Sequence, residues 1–291
     1  MQATAPTTTT PPAGPTRYAR VLSIAGSDSG GGAGVQADLK TFAALGCYGM
    51  SAVTALTAQN TLGVQGIHAV PPAFLRLQLA SVLDDIGADA VKVGMLHEPE
   101  VVEVVAWAID RYRLARVVLD PVMVATSGDR LIAPATAEVL VRELFPRASV
   151  VTPNLDEAAL LLGRRIEGVE ALDAAAQDLL DLGAQAVLLK GGHLPGDVCV
   201  DLLVRRDAPP LRLASPRIAS RNVHGTGCTP SSAIAAQLAL GFGLDAAVRA
   251  ARAWVLAAIA AGADVRTGHG HGPLNHGHAP QAMQRLALPG G

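Results

Sequence analysis

Short apolar runs alternate with helix-spaced stretches along most of this chain, and that alternation limits the fold more than any single motif does. The runs at 20–25, 49–56, 88–93, 116–119, 149–152 and 185–189 read as strands. Between them Val35, Leu39, Phe42 and Leu45 recur at helical spacing, and 72–86, 99–112 and 134–144 read as further helices. The run 64–70 reads as another strand, and 198–204 with 211–214 as a small antiparallel addition. Repeated strand–helix units imply an α/β fold, a mostly parallel sheet covered on both faces by helices. Ligands of such sheets bind beyond the carboxyl ends of the strands. Gln59, Met95, Asp120 and Asn154 each fall just after a predicted strand, so the pattern gathers them on one rim.

A chain of 291 residues suffices for one large core, since a domain near this size buries roughly three quarters of its unfolded surface. Aromatic residues make up only 3%, so that core has to be built from Ala, Val, Leu and Ile. The net charge is −2 with no dense Lys/Arg cluster, which argues against nucleic acid as a partner. The longest apolar stretch, 253–263, falls short of the roughly 18 residues a membrane span needs. Cys47, Cys199 and Cys228 show no CxxC spacing, so neither a disulfide framework nor a zinc site is expected, and a reducing, cytoplasmic setting fits. Residues 1–17 are Thr- and Pro-rich, with no apolar period and no secretory pattern. They are expected to be a disordered tail ahead of a single domain at 18–291.

The chemistry concentrates in Asn222-Val223-His224-Gly225-Thr226-Gly227-Cys228-Thr229-Pro230, which opens an Ala-rich helix predicted over 231–240, followed by another over 244–261. Gly225 and Gly227 let a ligand approach the backbone closely. The free N–H groups and positive dipole end of the helix start form an anion site, and the same field is expected to lower the pKa of Cys228. A capped helix start with a buried thiol fits this stretch equally well. The loop 26–34 lacks both the Lys-Ser/Thr ending of a P-loop and the spacing of a dinucleotide fingerprint. It reads instead as a place where a small substrate nears the sheet.

Other residues carry two readings each. The Gln59 amide donates and accepts at once, which suits an aminopyrimidine edge, or it braces its loop. Asn154 and Glu157 have the spacing of a capping box, and also of an oxygen pair for hydrated Mg²⁺. Lys190 ends a strand, where it reaches a phosphate or lies along the surface. The stretch 124–132 centres on Ser127-Gly128-Asp129 and reads as a mobile flap. His269, His271, His276 and His278 stand among glycines and read as a solvated end, because Gly-rich coil does not preorganise metal ligands.

With AGSDSGGGAGVQADLKT, Gln59-Asn60-Thr61, Lys92-Val93-Gly94-Met95-Leu96, residues 152–157, 190–193 and HGTGCT in place, the chain resembles the hydroxymethylpyrimidine/phosphomethylpyrimidine kinases of thiamine biosynthesis, from about Arg20 to His278. These belong to the ribokinase-like superfamily. The resemblance implies a three-layer α/β/α sandwich, a homodimer, and phosphorylation by ATP and Mg²⁺ of the pyrimidine alcohol and then of its monophosphate. It makes Gly225, Thr226, Gly227 and Cys228 the anion hole, with Cys228 where sugar-kinase relatives carry an Asp base. It assigns Gly26, Asp38, Gln59, Met95 and Val122 to the pyrimidine. Asn154, Glu157, Lys190 and Thr226 go to the nucleotide, Asp120 and Glu157 to the metal. Pro230 stands where the family pattern has a larger apolar residue, a place in the first helical turn that tolerates proline. The closest rival is a pyridoxal kinase of the same superfamily. A non-catalytic pyrimidine-binding protein is a further alternative, which the intact Lys190, Glu157 and Gly-rich turn oppose.

Overall fold

Successive strand residues point to opposite faces, and here both faces are apolar. The computed structural model describes residues 15–124, 132–192 and 194–288. Strands β2 (Arg20–Asp28), β3 (Tyr48–Asn60), β5 (Ala90–Val93), β6 (Val117–Leu119), β7 (Val150–Val151) and β8 (Ala186–Leu189) run parallel. Strand β4 (Gly63–Ala69) lies antiparallel to β3 at one edge. At the other, β9 (Val198–Arg205) and β10 (Ala208–Pro216) add antiparallel. The order is β10-β9-β8-β7-β6-β5-β2-β3-β4. This is the mixed, mostly parallel sheet that the alternation predicts.

One face of the sheet, including Val91, Val93, Val117, Leu119 and Leu189, packs with α2 (Pro72–Asp85), α3 (Pro99–Tyr112), α4 (Pro134–Leu144), α5 (Leu155–Leu162) and α6 (Leu172–Asp181). The alternate residues Ala90, Val118, Val150 and Leu188 pack with α1 (Gly34–Ala44), α7 (Cys228–Ala239) and α8 (Leu244–Gly262). The result is a three-layer α/β/α sandwich. After β3 and β4 the chain returns past β2 to form β5, so the order reverses between β2 and β5. A crevice opens beyond the carboxyl ends of strands at such a reversal.

Two terminal expectations are corrected. Thr16 and Arg17 do not belong to a disordered tail: with Tyr18 they form β1 (Thr16–Tyr18), paired with β11 (Arg285–Ala287). Arg17 and Arg20 both donate to Asp89, which anchors this end beneath the sheet. Residues 1–14 lie outside the described residues, as do His193 and 125–131, which hold the expected flap. The Gly/His-rich stretch is a solvated end only in part: His269 and His271 are exposed, but the segment is tied down. Gly270 and His271 donate their N–H groups to Thr61 (3.1 and 3.0 Å), and the carbonyl of Gly272 accepts from the N–H of His224 (3.1 Å). His276 is buried with Nε2 3.0 Å from the Thr229 hydroxyl, and the His278 ring packs at a tilt against Trp254. Glycine makes this possible, since a Cβ at Gly270 would fall on the Thr61 carbonyl oxygen. The segment is a strap across the outside of the HGTGCT turn.

Candidate active site

A cavity of about 650 Å³ opens at the carboxyl ends of the strands, and Gln59, Met95, Asp120 and Asn154 all line it, as the rim expectation required. Gly26, Val122, Glu157, Lys190 and the whole of 225–228 line it too. A Cβ on Gly26 would stand 2.6 Å from Met95 Cε, so the tip of the methionine lies against this glycine at the end of β2. The register of β2 against β3 shifts between Ala25 and Ser27, which re-aims the strand at this point.

Two glycine loops meet over the cavity. Gly225 has φ +90°, and a Cβ there would coincide with the carbonyl oxygen of Gly32. Asp28 locks the contact. Its carboxylate accepts from the N–H groups of Gly30 (2.8 Å), Gly32 (2.9 Å) and Ala33 (2.8 Å), and lies 2.9 Å from His224 Nε2. Burial pushes the Asp28 carboxyl up, but His224 and these N–H groups more than offset it and hold the group below its usual range. The sequence reading assigns no role to Asp28 or His224. An Asp just before a glycine run is a recognisable turn former, whereas nothing local marks His224 as its partner.

Hydrogen-bond accounting fixes the Gln59 amide. Thr57 Oγ1 lies 2.7 Å from the Ser27 carbonyl and 3.1 Å from Gln59 Oε1, yet a hydroxyl has one proton. His224 Nε2, when it donates to Asp28, faces Gln59 Nε2 at 3.5 Å, donor against donor. Exchanging the amide oxygen and nitrogen, which fill nearly the same space, relieves both conflicts. The nitrogen then donates to Thr57 and the oxygen faces His224, leaving one N–H and one lone pair for the cavity.

Across the cavity Asn154 caps α5 in a full capping box: its side chain accepts from Glu157 N (2.9 Å), and Glu157 Oε2 accepts from Asn154 N (2.8 Å). The capping-box reading is the one the geometry shows, and the boxed Glu157 also lines the cavity. Burial pushes the Glu157 carboxyl up to about 7, with nearby Asp120 adding to it and Lys190 working against it. Lys190 Nζ donates to Asp120 Oδ1 (2.9 Å) and to the Gly227 carbonyl (3.0 Å), which ties the strand end to the Gly-rich turn. Burial lowers the Lys190 pKa, but Asp120 and Glu157 outweigh it and keep the ammonium charged. Asp120 Oδ2 is buried and has no hydrogen-bond partner among the described residues. An orphaned carboxylate oxygen beside a second buried carboxylate suits a hydrated Mg²⁺, which takes one or two carboxylates and keeps its waters. No cluster of three or more His, Cys, Asp or Glu is arranged for a metal among the described residues.

Two expectations fail here. Cys228 is the first residue of α7, yet its thiol is not activated: burial pushes it up to about 11, and Lys92 opposes that only in part. Loss of solvation outweighs the field of the helix start. Asp38 does not line the cavity. It is fully buried, and Ser23 (2.6 Å), Ser232 and Lys92 (3.0 Å to each oxygen) take up its carboxylate. No oxygen is left for a substrate.

The phosphomethylpyrimidine kinase family model matches residues 28–275. A hydroxymethylpyrimidine/phosphomethylpyrimidine kinase of Rhizobium meliloti is 52% identical over 258 residues, covering 88% of this chain and 96% of the relative. One of the same name from Escherichia coli is 46% identical, covering 89% and 97%. Among solved structures, a pyridoxal kinase of Bacillus subtilis in complex with ADP superposes with a TM-score of 0.83 at 38% identity, over 90% of this chain and 98% of that one. A phosphomethylpyrimidine kinase of Clostridium difficile gives 0.72 at 40% identity, over 82% and 99%.

Proposed function

The chain belongs to the phosphomethylpyrimidine kinase family, and from that premise we propose how its residues phosphorylate 4-amino-5-hydroxymethyl-2-methylpyrimidine, and then the monophosphate, as a step of thiamine biosynthesis. One observation carries the reading. A single cavity holds a donor–acceptor amide, a charged lysine, two neighbouring carboxylates and a Gly-rich helix start. Gln59 meets the amino group and adjacent ring nitrogen, with Gly26, Met95 and Val122 against the ring. Lys190 meets the phosphates of ATP as a point charge, with Asn154 and Thr226 beside them. The apolar far end of the cavity, at Leu213, Val255 and Leu256, takes the nucleotide base. Asp120 and Glu157 would hold Mg²⁺, which when bound neutralises phosphate charge.

Phosphoryl transfer needs in-line positioning and charge stabilisation more than covalent chemistry. The substrate hydroxyl oxygen bonds to the terminal phosphorus as the bond to the departing ADP breaks, and the hydroxyl proton goes to Cys228 in the fraction of molecules where its sulfur is a thiolate. The N–H groups of 225–228 meet the charge on the transferred group, where one preorganised donor is worth about 3–4 kcal/mol. The second acceptor is a phosphate already ionised near neutral pH and needs no base. We also infer a homodimer in the cytoplasm, in keeping with three unpaired cysteines.

The test is to assay both steps separately, with pyridoxal alongside, in wild type and Cys228→Ser. The alcohol step should fall by roughly 10²–10⁴-fold and the monophosphate step far less. Because the thiol sits near 11, only the thiolate fraction accepts a proton. The wild-type alcohol rate should therefore climb from pH 7 to 9, and the variant should lose that slope. Parallel losses would mean that Cys228 shapes the anion hole instead. Faster turnover of pyridoxal would favour the second reading, which the likeness to the pyridoxal kinase motivates. No turnover at all would leave a pyrimidine-binding protein.

A further inference from the structure

The Asp28–His224 contact that joins the two glycine loops also reaches Gln59. The backbone of Gln59 is pinned, because Ser29 Oγ accepts from its N–H and donates to its carbonyl, both at 2.8 Å. What remains is the half-turn of the side-chain amide, which exchanges donor and acceptor with almost no change of shape. Two neighbours act on that half-turn from opposite ends. Thr57 is buried and donates its one proton to the Ser27 carbonyl (2.7 Å), so toward the amide it can only accept. His224 is buried too, with its ring held against Gly32, where a Cβ would fall on Cδ2. Its Nε2 lies 2.9 Å from Asp28 Oδ2, an oxygen that also accepts from the N–H groups of Gly32 and Ala33. An ionised carboxylate only accepts, so Nε2 carries the proton and turns a donor toward the amide at 3.5 Å.

An acceptor at one end and a donor at the other leave one orientation, with the amide nitrogen toward Thr57 and the oxygen toward His224. We propose that Thr57, and Asp28 acting through His224, are positioning residues that fix which way round Gln59 meets a heteroaromatic ring, and so set the specificity of the cavity. This rests on the pyrimidine reading of the site. In 4-amino-5-hydroxymethyl-2-methylpyrimidine the amino group sits beside the hydroxymethyl arm, and the ring nitrogen N3 lies beyond it. His224 directly precedes 225–228, the turn at which the hydroxyl reacts. The Gln59 oxygen, at the His224 end, therefore meets the amino group, and the nitrogen, at the Thr57 end, meets N3. A ring with the order inverted, acceptor beside the arm and N–H beyond it, would set oxygen against oxygen and N–H against N–H. An amide free to turn would take either ring. The selectivity therefore lies in the neighbours of Gln59 as much as in Gln59 itself.

The test compares two alcohols of nearly one shape, the 4-amino compound and its 4-oxo counterpart, in which the exocyclic oxygen accepts and the N3–H donates. Their dissociation constants would be measured by titration calorimetry on the full-length protein without nucleotide, so the readout does not depend on turnover. Wild type should prefer the amino ring by roughly 10- to 100-fold. His224→Phe removes the donor and Thr57→Val the acceptor, each at similar volume. In either variant the preference should shrink by roughly 3- to 10-fold, in part through tighter binding of the oxo ring. A role confined to bracing the loops would weaken both rings together and leave their ratio as it is in wild type. That result in folded variants would overturn the proposal, and so would a wild type that binds the two rings equally. Thr57 lies outside the Gly-rich turn, so Thr57→Val carries the same test from the other end should His224→Phe fail to fold. A wild type that binds neither ring would remove the pyrimidine reading and this inference with it. One that shows the preference but transfers no phosphate would sink the proposed catalysis while leaving the orientation of Gln59 established.

Discussion

Gln59 has one side of its amide engaged by Thr57 and His224 and the other open to the cavity, so it is both braced and available. Only a ring with an amino group beside a ring nitrogen can use its remaining N–H and lone pair together. Gln59→Leu should therefore raise the KM for hydroxymethylpyrimidine, at a cost of about 1–3 kcal/mol, and leave any pyridoxal turnover nearly unchanged. Equal losses on the two alcohols would show that bracing the loop is all it does. Cavity-lining residues whose chemistry is local are legible in the sequence: Gln59, Lys190 and the Asn154–Glu157 box each sit at a strand or helix end. What was not legible depends on partners far away in sequence. Asp38 reads as available until Lys92, 54 positions on, takes its carboxylate. Asp28 and His224 are 196 positions apart, and neither points to the other. Cys228 misled because the helix start is visible in sequence and the desolvation around its sulfur is not.

At the scale of elements, the clearest expectations rest on long periodic stretches. The bounds of α3 and α4 agree with the spacing of their apolar residues, and β2, β5, β6 and β8 differ from expectation only at their ends. Strand β3 runs on to Asn60 because β4 pairs with it, which places Gln59 inside a strand. Helix α7 starts at Cys228, with Pro230 in its first turn where no internal N–H bond is lost. The sequence reading leaves 163–184 without an element, although Leu172, Ala175, Ala176 and Leu179 recur at helical spacing and form the buried side of α6. The strap at 268–278 has no period to read, because its contacts are scattered backbone hydrogen bonds and single side chains such as His276 and His278. It makes a prediction of its own through His276. Burial is the main cause that pushes His276 down to about 4, with the charges of Lys40, His224 and His278 adding to it. An unfolded chain takes up that proton near pH 6.5, while the fold refuses it until about pH 4. Stability should therefore be lost as pH falls through that window, on the order of 3 kcal/mol once pH 4 is reached. His276→Gln keeps a partner for Thr229 and removes the titration. The difference between urea-unfolding free energies at pH 7 and pH 4.5 should shrink in the variant, and an unchanged difference would place the proton uptake elsewhere.

The whole molecule has two unlike edges. Strand β10 carries Pro209, Pro210 and Pro216, which have no N–H to offer a further strand. Among the described residues strand β4 pairs with no strand but β3, and it has no proline, so its outer edge offers N–H groups to a further strand. Exposed apolar side chains gather at this same end: Leu56 of β3, Leu62 in the following turn, Ile67 of β4, and Phe74 and Leu77 of α2. An uncovered edge with an apolar surround is a liability in a monomer. A second copy related by a two-fold axis would cover the same patch on both chains at once, since an isologous contact is self-complementary. The inferred homodimer is therefore expected to form through β4 and α2, leaving β10 outside. Ile67→Glu with Leu77→Glu would place two like charges on each side of that contact and should yield a folded monomer. Sedimentation equilibrium at micromolar concentration should give twice the 29.7 kDa chain mass for wild type and the single mass for the variant, with the far-ultraviolet spectrum unchanged. A wild type that sediments as a monomer would remove the dimer altogether, and a variant that remains dimeric would move the contact to another face.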